Sequence, residues 1–222
     1  MSLETITERI RAELDARNAA RDRTLILSRE IIRTSANTIR AAHRSELDRA
    51  REMLRGAREA IVQMRLALQE HPDIYNAGYV HDCQKELAEA ATFVALIGGE
   101  PLPDPVELAV ESPAYLNGLG EAIGELRRFA LDRMRIGDLQ RAEALLSTMD
   151  EIYYVLVTMD YPDALTGGLR RTTDNARGII EKTRGELTTA LRQDELRSTI
   201  RDALALLGGE PATATRDGEG NK

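Results

Sequence analysis

The strongest constraint on the fold is an apolar pattern with helical spacing that runs through almost the whole chain. Near the N-terminus, apolar side chains recur at Ile6, Ile10 and Leu14, and the stripe continues at Ile32 and Ile39. Spacings of three, four or seven residues place side chains on one face of an α-helix. No segment shows the alternation of β-branched and polar residues that is typical of a strand. The sequence therefore predicts an all-α protein.

Proline, glycine and cap residues divide this pattern into separate helices. Pro101, Pro103 and Pro105 mark the clearest loop, because proline cannot continue a helix. Gly137 followed by Asp138 is typical of one helix ending and the next beginning. We therefore expect seven helices, at about 3–42, 45–69, 74–97, 105–110, 113–135, 139–159 and 164–207.

Length and composition favour one domain followed by a tail. A chain of 222 residues with 42% hydrophobic content can bury one sizeable core, which we assign to residues 1–207. Residues 208–222 are small and polar, and we expect a disordered tail there. A single cysteine, Cys83, excludes an intrachain disulfide. Without a signal-peptide pattern or a run of about 18 apolar residues, we expect a cytoplasmic protein that does not enter a membrane.

The charge distribution restricts nucleic-acid binding to part of the surface. A net charge of -7 argues against attraction of phosphates by the whole molecule. Residues 1–65, however, hold fourteen arginines against ten acidic residues. This basic N-terminal third can line a phosphate path, although alternating arginine and glutamate on solvated helix faces explains the same composition.

Four glutamates lie within two of the most apolar predicted helices. Glu86 and Glu89 are three residues apart, and Glu121 and Glu125 are four apart, so each pair shares one helix face. A carboxylate beside buried surface costs several kcal/mol unless it is protonated, paired or bound to a cation. Carboxylate oxygens select hard cations such as Mg²⁺, Mn²⁺ or Ca²⁺. The two pairs are therefore candidate metal ligands.

The spacing alone leaves a structural alternative open, in which these glutamates pair with Lys85, Arg127 or Arg128 or face solvent. A di-iron site is disfavoured, because it needs Glu-x-x-His and none of the three histidines follows a glutamate at that spacing. Nucleophilic catalysis also finds little support, since His81 and Cys83 are two residues apart and point to different sides of a helix. Cys83 is interpreted as a small apolar residue.

Three glycines share the second glutamate-bearing helix. Gly118, Gly120 and Gly124 each cost about 0.5 to 1 kcal/mol relative to alanine within a helix. We expect a compensating close approach, either of a partner helix or of a substrate backbone.

Three segments, taken in order, resemble the translin family and in particular its translin-associated factor X branch. The first covers residues 21–31 and continues through 38–44. The second is Gln-Lys-Glu-Leu-Ala-Glu-Ala-Ala-Thr-Phe at 84–93, and the third covers 115–128 and the Gly-Asp turn at 137–138. The resemblance extends over about residues 10–190 and indicates a member of prokaryotic type.

The resemblance implies a seven-helix antiparallel bundle of the translin type that assembles into a hollow homo-octamer enclosing nucleic acid. It further implies a Mg²⁺-dependent endoribonuclease, with Mn²⁺ as an alternative metal, that acts on single-stranded RNA and has single-stranded DNA as a second possible ligand. The competing expectation is a non-catalytic RNA- and DNA-binding protein of the translin type.

By the same resemblance, the catalytic and metal-binding residues are Glu86, Glu89, Glu121 and Glu125. The first three would hold the metal, and Glu125 would complete its coordination or orient the water. Translin itself has apolar or neutral residues at most of these positions, which favours the catalytic branch. One departure is that position 121 is usually aspartate. By the same resemblance, Arg21 or Arg23 in the basic first helix would contact RNA phosphate.

Overall fold

The computed structural model describes residues 2–207, and all regular secondary structure in that part of the chain is α-helical. The expected all-α fold is therefore confirmed. The tail expected at 208–222 lies outside the described residues. The nine helices between residues 2 and 207 are α1 (Leu3–His43), α2 (Leu47–Ala67), α3 (Pro72–Tyr75), α4 (Gly78–Gly98), α5 (Pro105–Leu108), α6 (Ser112–Arg135), α7 (Leu139–Val157), α8 (Asp163–Thr166) and α9 (Leu169–Leu206).

Two four-residue helices account for the difference from the expected seven. Helix α3 begins at Pro72 and is separated from α4, whereas the sequence pattern favoured one helix from about 74. Helix α8 is separate from α9 because Gly167 and Gly168, which lie between them, adopt positive φ angles of 59° and 88°. Such left-handed backbone interrupts a helix and is readily adopted by glycine. The turn at Gly137 and Asp138 forms as expected, and the Asp138 side chain accepts a hydrogen bond from the Arg141 backbone N–H.

Helices α1, α4 and α6 run in the same direction. Ser28 of α1 donates a hydrogen bond to the Tyr79 carbonyl at the start of α4. Further along both helices, the ring centroids of His43 and Phe93 lie 4.7 Å apart. The expected antiparallel order applies to neighbours joined by tight turns, such as α1 with α2 and α6 with α7. The long connection through α5 returns the chain to the beginning of α4, and the parallel order of α4 and α6 follows from this connection.

Glycine brings α4 and α6 into direct backbone contact. A Cβ atom at Gly118 would lie 2.7 Å from the Ala88 Cβ and 2.8 Å from the Lys85 carbonyl oxygen. Gly120 packs in a similar way against side chains of α7 and α9, whereas no atom lies within 4 Å of the Cβ position at Gly124. The expected close approach is therefore a helix contact at the first two glycines.

Helix α4 contributes to two apolar clusters and is held on both sides. One cluster includes Phe93 and Leu126, and the other includes Ile61, Leu87 and Cys83. Burial raises the pKa of the Cys83 thiol to about 11, so this residue is a small apolar side chain, as expected. Among residues 2–207, no helix combines the length and apolar character needed to cross a membrane.

Candidate metal centre

Three of the four predicted glutamates converge between α4 and α6. Glu86, Glu89 and Glu121 each place one carboxylate oxygen within 4.8 Å of the other two, and all three side chains are half-buried. The helical spacing aligns the α4 pair, and the close contact at Gly118 brings α6 against it. The longer side chain of glutamate at position 121, where the family pattern has aspartate, still reaches the cluster.

The spacing of these oxygens fits a hard divalent cation. Oxygen ligands lie about 2.0 to 2.1 Å from Mg²⁺ and about 2.3 to 2.6 Å from Ca²⁺, so two ligands of one ion can be about 4 to 5 Å apart. The three oxygens all lie within 4.8 Å of one another, which is compatible with shared coordination of one such ion. The donor set consists of carboxylates alone, which matches the preference of both ions.

Glu89 is the least compensated carboxyl group of the cluster. Burial, together with the negative charges of Glu86 and Glu121, raises its pKa from 4.5 to about 8. No side chain within residues 2–207 forms a hydrogen bond or ion pair with it. Burial also raises the pKa of Glu86, and the nearby Lys85 partly offsets this effect. A bound cation would remove the cost of ionising both groups.

Between residues 2 and 207, Lys85 is the basic residue that pairs with members of the cluster, which is one of the pairings that the sequence left open. Its Nζ donates a hydrogen bond to Glu121 Oε1 at 2.7 Å and lies 4.0 Å from Glu86 Oε1. Arg127 makes no such pair, because it turns to α9 and pairs with Glu186 at 2.8 Å. Of the three alternative partners, Lys85 pairs with Glu121 and Arg128 approaches Glu125 to 4.0 Å, whereas Arg127 pairs with Glu186.

Glu125 lies one turn beyond Glu121 and outside the group of three. Its Oε2 is 2.6 Å from His43 Nε2 and 4.0 Å from Arg128 Nη1. The hydrogen bond with His43 lowers the pKa of Glu125, although burial opposes this shift. The His43 side chain is only 6% exposed, so it is a buried partner of the site. Sequence analysis missed this role, because the two residues are 82 positions apart.

The two predicted RNA-binding arginines lie away from the glutamates. Arg21 and Arg23 are exposed on α1, where Arg21 pairs with Asp22 at 3.1 Å and Arg23 donates to the Ala19 carbonyl at 3.2 Å. Twenty residues of helix separate Arg23 from His43, the partner of Glu125, which corresponds to about 30 Å along α1. Their role in RNA binding stays a prediction.

The chain is similar to proteins of known sequence and structure over most of its length. No protein-family model matches it. The uncharacterized protein MJ0175 of Methanocaldococcus jannaschii is 32% identical over 187 residues, which cover 83% of this chain and 82% of that protein.

Solved structures of C3PO share the fold. AfC3PO bound to duplex RNA matches with a TM-score of 0.78 and 36% identity, covering 84% of this chain and 97% of that chain. The crystal structure of AfC3PO matches with a TM-score of 0.77 and 35% identity over the same fractions. For apo-NeC3PO the TM-score is 0.76 over 83% of this chain and 96% of that one, and the 19% identity supports the fold alone.

These matches agree with the three sequence segments that resemble translin-associated factor X. C3PO structures are of the translin and translin-associated factor X type. Three of the four glutamates that the resemblance pointed to form one cluster. The chain belongs to the translin family, within which it resembles translin-associated factor X.

Proposed function

We propose that the protein is a metal-dependent endoribonuclease that cleaves single-stranded RNA inside a hollow homo-oligomer. The observation that carries this proposal is the convergence of three carboxylate oxygens within 4.8 Å on two helices in direct contact. Family membership supports RNA as the substrate, because AfC3PO has been solved with duplex RNA.

Each glutamate has a distinct part in this proposal. Glu86, Glu89 and Glu121 would hold Mg²⁺ or Mn²⁺, a metal that supplies an activated water and neutralises charge on the phosphodiester. Glu89 must give up its proton to become a ligand, because its pKa is about 8. Glu125 stays ionised beside His43 and would orient the attacking water or complete the coordination.

Binding and assembly form the second part of the proposal. Arg21 and Arg23 are exposed and would contact phosphates of an RNA segment remote from the glutamate cluster. The apolar side chains of Leu196, Ile200 and Leu204 are 46 to 59% exposed along one side of α9, which supports burial against another copy. Eight copies, single-stranded DNA as a second ligand and a cytoplasmic location follow from the family resemblance and the composition.

A non-catalytic binding protein of the translin type is the second candidate. It is favoured by the pairs that Lys85 forms with Glu121 and His43 forms with Glu125, because both satisfy a carboxylate without a metal. This candidate predicts RNA binding that weakens steeply with salt and does not respond to a chelator.

A cleavage assay with matched variants separates the two candidates. Labelled single-stranded RNA and a duplex of the same sequence are incubated with Mg²⁺ or EDTA. We expect Mg²⁺-dependent cleavage by the wild type and by Glu143→Gln, which changes an exposed glutamate of α7. The Glu89→Gln variant should retain its helical circular dichroism and lose cleavage. Cleavage that survives EDTA or the Glu89 substitution would contradict the proposal, whereas RNA binding without any cleavage supports the second candidate.

A further inference from the structure

Lys85 places a positive charge at the edge of the group of carboxylates that the proposed function assigns to a metal. Its side chain extends from α4 across to α6, is 21% exposed, and donates to Glu121 Oε1 at 2.7 Å. The same ammonium lies 4.0 Å from Glu86 Oε1. Among the described residues, Lys85 is the cation that pairs with members of this cluster.

An ammonium group and a divalent metal compete for the same carboxylates. Both are drawn to Glu121 and Glu86, and two cations held a few ångströms apart in a half-buried site repel each other strongly. The backbones of α4 and α6 are in contact at Gly118, so the helices are not free to rearrange. Lysine, in contrast, carries its charge on a flexible four-carbon chain and can move at low cost.

Because the Lys85 side chain is partly exposed, its ammonium group can move away from Glu121 toward solvent. The side chain lies at the border of the cluster, and an ammonium driven from Glu121 would remain tethered within a few ångströms of the metal ligands. An RNA phosphate bound at the metal would bring a negatively charged oxygen to this region. Lysine binds phosphate as a point charge with three donors.

We propose that Lys85 is the resident counter-ion of Glu121 in the metal-free protein, that a divalent metal displaces it, and that the released ammonium then binds a phosphate oxygen of the RNA. This inference rests on the proposed function for its second step, since that step needs an RNA substrate at the cluster. The first step concerns metal affinity alone. Lys85 therefore opposes metal binding and assists substrate binding.

The test measures Mn²⁺ binding to the RNA-free protein by electron paramagnetic resonance, together with RNA cleavage at saturating Mn²⁺. Lys85→Met removes the charge at similar length, and Lys85→Gln is a second variant that keeps a hydrogen-bond donor. Lys182→Met is the matched control, because Lys182 is exposed on α9. Melting temperatures and circular dichroism establish that each variant is folded.

Both Lys85 variants should bind Mn²⁺ roughly tenfold more tightly than the wild type, since a charge-assisted hydrogen bond of about 1.5 kcal/mol no longer competes. Their cleavage at saturating metal should fall roughly tenfold through loss of one phosphate contact of similar strength. Lys182→Met should match the wild type in both measurements.

Unchanged or weaker Mn²⁺ binding by folded Lys85 variants would overturn the inference while leaving a cleaving wild type, and thus the proposed function, intact. Tighter Mn²⁺ binding with undiminished cleavage would overturn the phosphate step. Tighter binding in a protein whose wild type does not cleave RNA would support the displacement step and count against the proposed function. Failure of the wild type and the variants to bind Mn²⁺ would overturn both.

Discussion

His43 Nε2 lies 2.6 Å from Glu125 Oε2, which connects the end of α1 to the acidic face of α6. The His43 ring is buried and packs against the Phe93 ring, so its position is set by the apolar core. Because of this contact, the ionisation of Glu125 differs from that of the half-buried Glu89. The pKa of Glu125 is lowered by its partner, whereas that of Glu89 is raised by burial.

Replacing His43 by phenylalanine should remove this hydrogen bond and keep an aromatic ring on Phe93. We expect the free energy of unfolding at pH 7 to fall by about 1 to 3 kcal/mol, the usual range for a hydrogen bond to a charged group. A lowered pKa contributes stability above the unfolded value of about 4.5, and this contribution is lost as pH falls through the lower folded pKa. The difference between variant and wild type should therefore shrink by pH 3, as measured by urea unfolding.

A double-mutant cycle with Glu125→Gln is the control for the His43 prediction. Because the two side chains act through one contact, the combined loss should be smaller than the sum of the single losses. Additive losses that are equal at pH 3 and pH 7 would show that the contact does not stabilise the fold.

The raised pKa of Glu89 predicts a loss of stability with increasing pH. Its folded pKa of about 8 exceeds the usual 4.5, so its stabilising effect is complete below pH 4.5 and is lost as pH rises through 8. Glu89→Gln should therefore gain stability relative to the wild type between pH 5 and pH 9, in urea unfolding without metal. The exposed Glu143→Gln control should show no such trend. A constant difference across this range would mean that Glu89 is ionised throughout.

Alanine at two glycines of α6 should have opposite effects on stability. Gly118→Ala would place a Cβ 2.9 Å from the Glu89 backbone nitrogen and 2.7 Å from the Ala88 Cβ, which forces α4 and α6 apart. We expect a net loss of about 1 to 3 kcal/mol, the usual cost of overpacking. Gly124→Ala meets no atom within 4 Å and should gain about 0.5 to 1 kcal/mol from helix propensity. Urea unfolding of both variants provides the measurement, and a stabilised Gly118 variant would refute the tight contact.

The exposed apolar side of α9 should be needed for assembly. Ile200 is 51% exposed between Leu196 and Leu204, and an aspartate there would place a charge inside any contact that buries this side. Ile200→Asp should reduce the mass in solution toward that of the 24.6 kDa chain, as measured by light scattering. Thr199→Asp, exposed on an adjacent side of the helix, is the control. A wild type that is already monomeric would contradict the proposed homo-oligomer.

Much of the fold could be predicted from local patterns. The six long helices begin and end close to the expected positions, and the turn at Gly137 and Asp138 forms as expected. The short helices α3 and α8 were not predicted as separate helices, because each consists of four residues and depends on the backbone of the neighbouring turn. The parallel order of α4 and α6 could not be predicted from local sequence patterns either, since it depends on the path of the long connection through α5.

For the candidate site, the sequence by itself determined which carboxylates share a helix face. Glu86 pairs with Glu89, and Glu121 with Glu125, because side chains three or four residues apart meet within one helix. These relations need no information beyond one turn of backbone, which is why periodicity and family resemblance were sufficient to find them.

Only the tertiary structure decided which groups meet between helices. It placed Glu121 beside the α4 pair and beside Lys85, which lies 36 positions earlier in the chain. It also paired Glu125 with His43. These contacts depend on how closely two helices approach and in which direction they run. The approach is set by packing at Gly118, so the final composition of the site follows from contacts between helices rather than from helical periodicity.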